Sequence, residues 1–465
     1  MLRTIFLYEW KLLRRSLAVV IALMLFTILG WLSVNKGVGY YNYQQQDADS
    51  IAVRNHRNLT TLKKQFDTLN FSQKEKHQVE NPWTLDWRLG EYAIKPANAL
   101  SALSIGQNDV YSRFKNTRFS AEIFNNEQDE FKNPEQLLTG NLDLSYFILF
   151  LFPLLFIAIS YNTASADKEA GINKLLASQS GNLQIVISAR IFFRWLLALM
   201  PFFISVVIAS WWIRNETSFS YRSFFQWLGI ALLYAFFWLS IVLFITSRGW
   251  NSMVNALSMA GIWLLLLVGI PGILNSWYQY KYPNYIQQEI TQLRDDKAKY
   301  ADLILAVHKE NFYKEFPSLI KDSAMVDTDE LRWCSYAMMG LKREKEIYGN
   351  MAQKTNAQKR NEEQFFWINP VGGLMRAFST ISSSTLESHQ QFETSVLDLR
   401  MQKVRYLFGE FFTKPHFAKA ELDGVPMYKP SPAPHLGFIN YLWPVILITI
   451  LSMIGYIAGG KKNIL

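Results

Sequence analysis

Six apolar stretches decide what this chain can fold into, because each is about as long as the 20 or so residues that a helix needs to cross a bilayer's hydrocarbon core. They are residues 16–34, 145–161, 191–213, 224–246, 253–274 and 438–457, and none carries Asp, Glu, Lys or Arg near its middle. A segment immersed in lipid must satisfy its backbone N–H and C=O groups internally, so each stretch reads as a transmembrane helix. Composition agrees. Half the residues are hydrophobic and only 18% are charged, against about 25% in soluble domains. The mean hydropathy of +0.02 averages very apolar stretches with very polar ones. The first stretch is not a secretory signal: its charged leader is long and no small-x-small cleavage site follows Trp31, so it reads as a retained anchor.

Lys and Arg in short flanking loops set the orientation, since cytoplasmic loops hold the excess. With the N-terminus in the cytoplasm, Arg3, Lys11, Arg14, Arg15, Lys168, Lys174, Arg190, Arg248, Lys461 and Lys462 all stay inside, whereas the reverse orientation exports all ten. Both termini are therefore expected in the cytoplasm. Trp31, Trp211, Trp212, Trp227 and Trp277 fall near span ends, where interfacial aromatics sit. The net charge of +9 is spread along the chain, with no basic tract suited to nucleic acid.

The expected fold is a mainly α membrane protein with six transmembrane helices and two large, mostly helical extracytoplasmic insertions. The insertions are 35–143, after span one, and 276–436, after span five; each is long enough to fold, and the two can pack against each other. Residues 1–15, 162–190 and 458–465 form the cytoplasmic helix, loop and tail. In the second insertion, helical patterns cover 285–311 and 380–412, and Pro415, Pro426, Pro430, Pro432 and Pro434 mark a non-helical return to the last span.

Several function classes are disfavoured. The spans lack the intramembrane ionisable groups of ion-coupled carriers; Arg194 lies about a turn inside span three, within snorkelling reach of the cytoplasmic face. Pro153, Pro201, Pro271 and Pro444 can kink spans without implying a binding site. The chain has no G-x-x-x-x-G-K-[ST] loop, no G-x-S-x-G and no H-E-x-x-H. His56, His77, His308, His389, His416 and His435 stand singly, without metal-ligand spacing. The lone Cys334 excludes an intramolecular disulfide and reads as a buried thiol. No catalytic residue, cofactor or metal is expected.

What faces the cytoplasm is small. Residues 1–15 interleave Leu2, Ile5, Phe6, Trp10, Leu12 and Leu13 with Arg3, Glu9, Lys11, Arg14 and Arg15, which suits a helix lying in the lipid headgroup region. In the loop, Ser165 or Asp167 can cap a short helix, and Gly181 can close it. Ile172, Leu175 and Leu176 then form an apolar face, flanked by Asp167, Lys168, Glu169 and Lys174. Periodicity alone leaves two readings open, a docking element for a partner's groove or a helix resting on the membrane.

At these residues the sequence resembles the permease subunits of type-2 ABC exporters, which share the six-helix order. Their N-terminal connecting helix carries a Glu followed by basic residues, matched by Glu9, Lys11, Arg14 and Arg15. Their loop between spans two and three carries Glu, then Gly, then paired leucines, matched by Asp167, Lys168, Glu169, Gly171, Ile172, Leu175 and Leu176, with Ile172 where the family usually has Thr. A finer resemblance is to the large-loop permeases related to that of the copper-enzyme maturation system. It rests on residues 94–109, on Asn133, Pro134 and Asn141 to Leu144, and on Asn369, Pro370, Arg376, Ser382, His389, Phe392 and Arg400.

The resemblance implies a non-catalytic subunit in a bacterial inner (cytoplasmic) membrane. It would pair with a second permease, identical or paralogous, above two copies of an ABC ATPase subunit that bind the ATP. The helix at Glu169–Leu176 would carry nucleotide-driven movement to the spans. The expected function is export or extraction of a membrane-embedded or lipid-like substrate. The alternative is mechanotransmission to envelope partners without transport. A membrane enzyme would need convergent acid, base or metal residues in the insertions, and the sequence offers none.

Overall fold

The structure is a computed structural model and describes residues 2–68, 81–124, 142–173, 176, 178, 182–281, 286–320, 328–414, 419–430 and 437–463. Lys174, Leu175, Gly181, Asn133, Pro134, Asn141, His77, Pro415, His416, Pro432, Pro434 and His435, named above, lie outside the described residues.

In chain order the helices are α1 (Leu2–Arg15), α2 (Leu17–Thr68), α3 (Pro82–Leu89), α4 (Phe152–Ser160), α5 (Ser165–Glu169), α6 (Leu183–Ile213), α7 (Tyr221–Thr246), α8 (Ser252–Leu264) and α9 (Ile270–Lys281). They continue with α10 (Ile286–Ala301), α11 (Leu305–Glu315), α12 (Thr328–Phe365), α13 (Pro370–Ile381), α14 (Leu386–Thr413), α15 (Lys419–Gly424) and α16 (Trp443–Asn463). Strands β1 (Tyr92–Ile94) and β2 (Phe114–Asn116) form an antiparallel pair, with Ala93 opposite Lys115.

Among the described residues, six helices are long and apolar enough to cross a membrane: Leu17–Phe66, Leu144–Glu169, Leu183–Ile213, Tyr221–Thr246, Ser252–Lys281 and Ile439–Ala458. The protein is a mainly α-helical membrane protein. Spans two, three and four are the interior of the bundle (67, 56 and 67% buried), and spans one, five and six its periphery (17, 17 and 22%). Span one runs along span three, and span six along span four.

Two prolines act on the spans through the backbone. Pro153 has no N–H for the carbonyl four residues back, and a π-turn at Phe147–Leu151 precedes it. The Leu149 carbonyl accepts instead from Tyr234 Oη at 2.7 Å, and the Phe150 carbonyl from Trp263 Nε1 at 3.1 Å. In lipid an unsatisfied carbonyl costs several kcal/mol, so the π-turn in span two is joined to spans four and five. A second π-turn, Leu265–Gly269, precedes Pro271.

α2 does not stop at the end of the first apolar stretch. Nothing between Leu17 and Thr68 is proline, and the helix runs unbroken for 52 residues, about 78 Å at 1.5 Å per residue. Its far half enters a body built from both long inter-span segments. Leu62 of α2, Leu85 and Leu89 of α3 and Phe119 share one cluster with Phe312, Leu331, Cys334, Leu407 and Phe408. A smaller cluster joins Ala93 and Ile123 to Tyr348, Phe392 and Val396. The two insertions therefore share their cores.

Two helix boundaries differ from expectation. The pattern over 285–311 is broken between α10 and α11, where Ile304 is extended, and both pieces fold onto α12 with Leu293 and Phe312 fully buried. The pattern over 380–412 starts late, because Ser382–Thr385 turns the chain between α13 and α14. Thr385 caps α14 by accepting from the Ser388 N–H, and Ser383 takes a left-handed φ of 56°. α13 carries Val371, Leu374 and Phe378 into the core of the bundle, where Phe378 meets Trp227 at 5.2 Å.

Candidate functional site

The pole of the bundle that carries α1 also carries the loop between spans two and three and the turn between spans four and five. α1 buries Glu9 and Leu13, four residues apart and so on one face. Glu9 is 1% exposed; its Oε2 lies 2.9 Å from Arg194 Nε and its Oε1 3.3 Å from Arg190 Nε. Arg194 Nη1 also donates to the Ile159 carbonyl at 2.6 Å and to Asn162 Oδ1 at 3.4 Å. Arg190 pairs in turn with Asp167, and its guanidinium lies 5.5 Å from the Tyr8 ring. Two guanidinium groups thus meet two carboxylates, and the charges cancel where screening is weak. Arg194 does not snorkel to the surface, as its place near the span end suggested. It is 7% exposed and ties α1 to spans two and three.

The loop helix is shorter than its periodicity implied. α5 ends at Glu169, and Gly171 stands in the left-handed region at φ 69°. The Gly171 N–H donates to the Lys168 carbonyl at 3.0 Å and the Ile172 N–H to the Asp167 carbonyl at 2.9 Å. This is the Schellman closure that glycine favours, and it breaks the helix before the apolar positions; helix resumes at Asn173, where the Leu176 N–H donates to the Ile172 carbonyl at 3.0 Å. Neither expected cap forms. Ser165 Oγ lies 2.8 Å from Ser252 Oγ, and Asp167 is held by Arg190.

The polar residues of α5 reach the next turn instead. Lys168 Nζ donates to the Gly249 carbonyl at 2.9 Å. Glu169 accepts from the Ser252 N–H at 2.7 Å and from Ser252 Oγ at 3.1 Å, placing a carboxylate on the first turn of α8, where the helix dipole favours it. Asn251 caps the same helix by accepting from the Val254 N–H at 2.8 Å.

Of the apolar trio, Leu176 packs against the bundle core, Ile172 is 42% exposed and Leu175 is outside the described residues. A Cβ on Gly171 would meet nothing within 4 Å. Among the described residues of the loop, Gly171–Ile172 is therefore an exposed knob whose base is bonded to spans three and five and, through Arg190 and Glu9, to α1. Lys11, Arg14 and Arg15 are exposed and make no ion pair among the described residues. Sequence reasoning read Arg190 as a topological flank and did not single out Ser252. The available signal was Glu9 itself, the one acid on an otherwise basic helix.

At the opposite pole, segments that carry the finer resemblance touch one another. Lys95 Nζ donates to the Ser383 carbonyl at 3.0 Å, Asn98 Nδ2 to Ser383 Oγ at 3.1 Å, and the Gln107 N–H to the Ser384 carbonyl at 3.1 Å. Burial pushes the Lys95 ammonium down to about 8, with Arg113 adding repulsion. Asp143 accepts from the Ile105 and Tyr146 N–H groups at 2.8 and 2.7 Å, and burial raises its carboxyl to about 6 against those bonds.

α14 supplies the rest of the seam between the insertions. Arg400 donates to the Asn116 carbonyl, with Nε at 3.1 Å, and faces Glu344 at 3.4 Å. Lys403 pairs with Glu91 at 2.7 Å and donates to Thr117 Oγ1 at 2.6 Å. His389 stacks on Tyr111 and lies 3.2 Å from Glu393, which Lys115 also reaches at 3.0 Å. Burial pushes the Glu393 carboxyl up, but His389, Lys115 and Tyr348 outweigh it and hold it at about 2. These groups are paired, and their geometry is that of a cross-braced interface.

Residues 286–431 match a family described as a domain of unknown function, DUF3526, a stretch that runs from α10 past α14. No curated protein and no solved structure matches the chain.

Proposed function

We propose that this protein is the membrane subunit of an ATP-driven exporter, with the α1 pole in the cytoplasm and the Gly171–Ile172 knob seated on a separate ABC ATPase. The observation that carries the proposal is the bonding of the knob. A force on Ile172 would reach span five through Glu169 and Ser252, span three through Asp167 and Arg190, and α1 through Glu9. A helix merely resting on the membrane needs no such bracing. The resemblance of these residues to the coupling elements of type-2 ABC permeases points the same way. Two permeases and two ATPase subunits then form the working unit in a bacterial inner membrane, and ATP is held by the partner.

A photo-crosslinker at Ile172, in native membranes, is expected to trap a chain with a G-x-x-x-x-G-K-[ST] loop. In proteoliposomes with that ATPase, Ile172→Asp should abolish stimulation of ATP hydrolysis while leaving membrane insertion and melting temperature intact. Retained stimulation, or labelling of Ile172→Cys by an impermeant reagent from the extracytoplasmic side, overturns the proposal. Native Cys334 does not interfere with such labelling, because it is fully buried and burial raises its thiol well above the usual range.

A second reading is favoured by one observation. The unbroken α2 passes from the knob's pole into the cross-braced body at the other. A rod of that kind suits mechanotransmission, in which ATP turnover reshapes the far body and nothing crosses. Inside-out vesicles separate the two: ATP-dependent substrate uptake supports export, and turnover without uptake supports the relay.

A further inference from the structure

The elbow between α1 and the first span encloses a groove of about 530 Å³, walled chiefly by Trp10, Leu13, Val20, Leu23 and Met24, with Arg14 at its rim. That volume falls within the roughly 300–1,000 Å³ of small-molecule sites. The wall is apolar throughout: Thr27, its hydroxyl residue, turns that group back onto the Leu23 carbonyl at 2.7 Å. The rim is cationic. Its cation is Arg14, which is exposed and makes no ion pair among the described residues; Arg3, Lys11 and Arg15 are exposed elsewhere on α1. The one acid of α1, Glu9, is already taken by Arg190 and Arg194 at 3.3 and 2.9 Å.

An apolar slot beneath an unneutralised cation, Arg14, is complementary to a molecule with a hydrocarbon tail and an anionic head. Span one starts at Leu17, just past Arg14, so the rim sits at the depth of lipid headgroups. We infer that the groove is a site for one anionic phospholipid, its acyl chain along Val20, Leu23 and Met24 and its phosphate on Arg14. The site braces the joint at which α1 meets the first span. This inference rests on the helices lying in a membrane and not on the ATPase reading, so either can fail alone.

The test is native mass spectrometry of the purified chain titrated with phosphatidylglycerol or phosphatidylcholine. Phosphatidylglycerol is expected to bind in preference. Arg14→Ala should weaken its binding about fivefold, the effect of removing one interfacial cation. Thr27→Trp, which fills the slot with Arg14 intact, should abolish the adduct, and Arg222→Ala at the opposite pole should not alter it. If Thr27→Trp does not fold, Met24→Trp, at a position 62% exposed, fills the same slot. Equal binding of the two lipids overturns the inference. So does loss on Arg14→Ala with no effect of the filling variants, which would reduce the site to surface charge.

Discussion

Replacing Glu9 by Gln keeps the side chain's size and one acceptor oxygen but removes the charge on which two guanidinium groups converge. Glu9, Arg190 and Arg194 are 1, 8 and 7% exposed, so Arg194 would lose its carboxylate with little screening while Arg190 kept only Asp167. Leaving one side of a buried pair uncompensated costs about 3–5 kcal/mol. The contacts that still hold α1 down include Leu13, worth at most about 1.5–3 kcal/mol, the Phe6–Phe193 ring pair at 5.1 Å, worth about 0.5–1.5 kcal/mol, and the Tyr8 ring 5.5 Å from the Arg190 guanidinium, worth about 0.5–1 kcal/mol. The loss rivals everything else at this joint, so α1 should detach. At 1.4 kcal/mol per factor of ten, the docking equilibrium constant falls by about 100-fold or more. Hydrogen exchange in nanodiscs reads this directly: amides of Leu2–Arg15 should lose protection while those of α12 keep theirs. Adding Arg194→Met should restore part of the protection, because it removes the stranded charge. Wild-type exchange of α1 in the Glu9→Gln protein would refute the reasoning and leave apolar contact as the sole anchor.

Two further outcomes are expected. On α2, a Cβ at Gly37 would lie 1.9 Å from the Ala102 carbonyl, whereas one at Gly39 meets nothing within 4 Å. Gly37→Ala should therefore lower the melting free energy by about 1–3 kcal/mol through overpacking, and Gly39→Ala should raise it by up to about 1 kcal/mol through helix propensity; equal effects would sink the close-contact argument. Burial raises the Asp86 carboxyl from 3.8 to about 6, more than Lys403, the Phe119 N–H and Arg400 offset. The folded state then holds this proton more tightly than the unfolded chain, so the contribution is full below about pH 4 and is lost as pH rises through about 6. Thermal unfolding of Asp86→Asn should show a flatter decline from pH 4.5 to 7.5 than the natural protein; parallel curves would remove Asp86 as the cause.

The six spans were legible because transfer into hydrocarbon is a sum over about 20 neighbouring residues and needs no knowledge of the rest of the chain. The same holds for α1, whose apolar and basic residues alternate within 14 positions. The loop helix was legible only in part. Periodicity registers spacing, and it does not register that Gly171 takes a left-handed φ and ends the helix before Ile172. The late start of α14 has a similar origin, since a run of Ser and Thr bonds its own backbone in a turn as readily as it begins a helix.

What the sequence by itself determined, then, was the membrane-spanning architecture and the candidate loop at one pole. Only the tertiary structure decided that Glu9 would be buried against Arg194, 185 positions away, that Glu169 would sit on the first turn of α8, and that two insertions far apart in sequence would share one core. The physical reason is range. Hydrophobic periodicity and helix closure act among near neighbours, whereas a buried charge is stable only beside its opposite, and its partner's identity depends on which helices lie side by side.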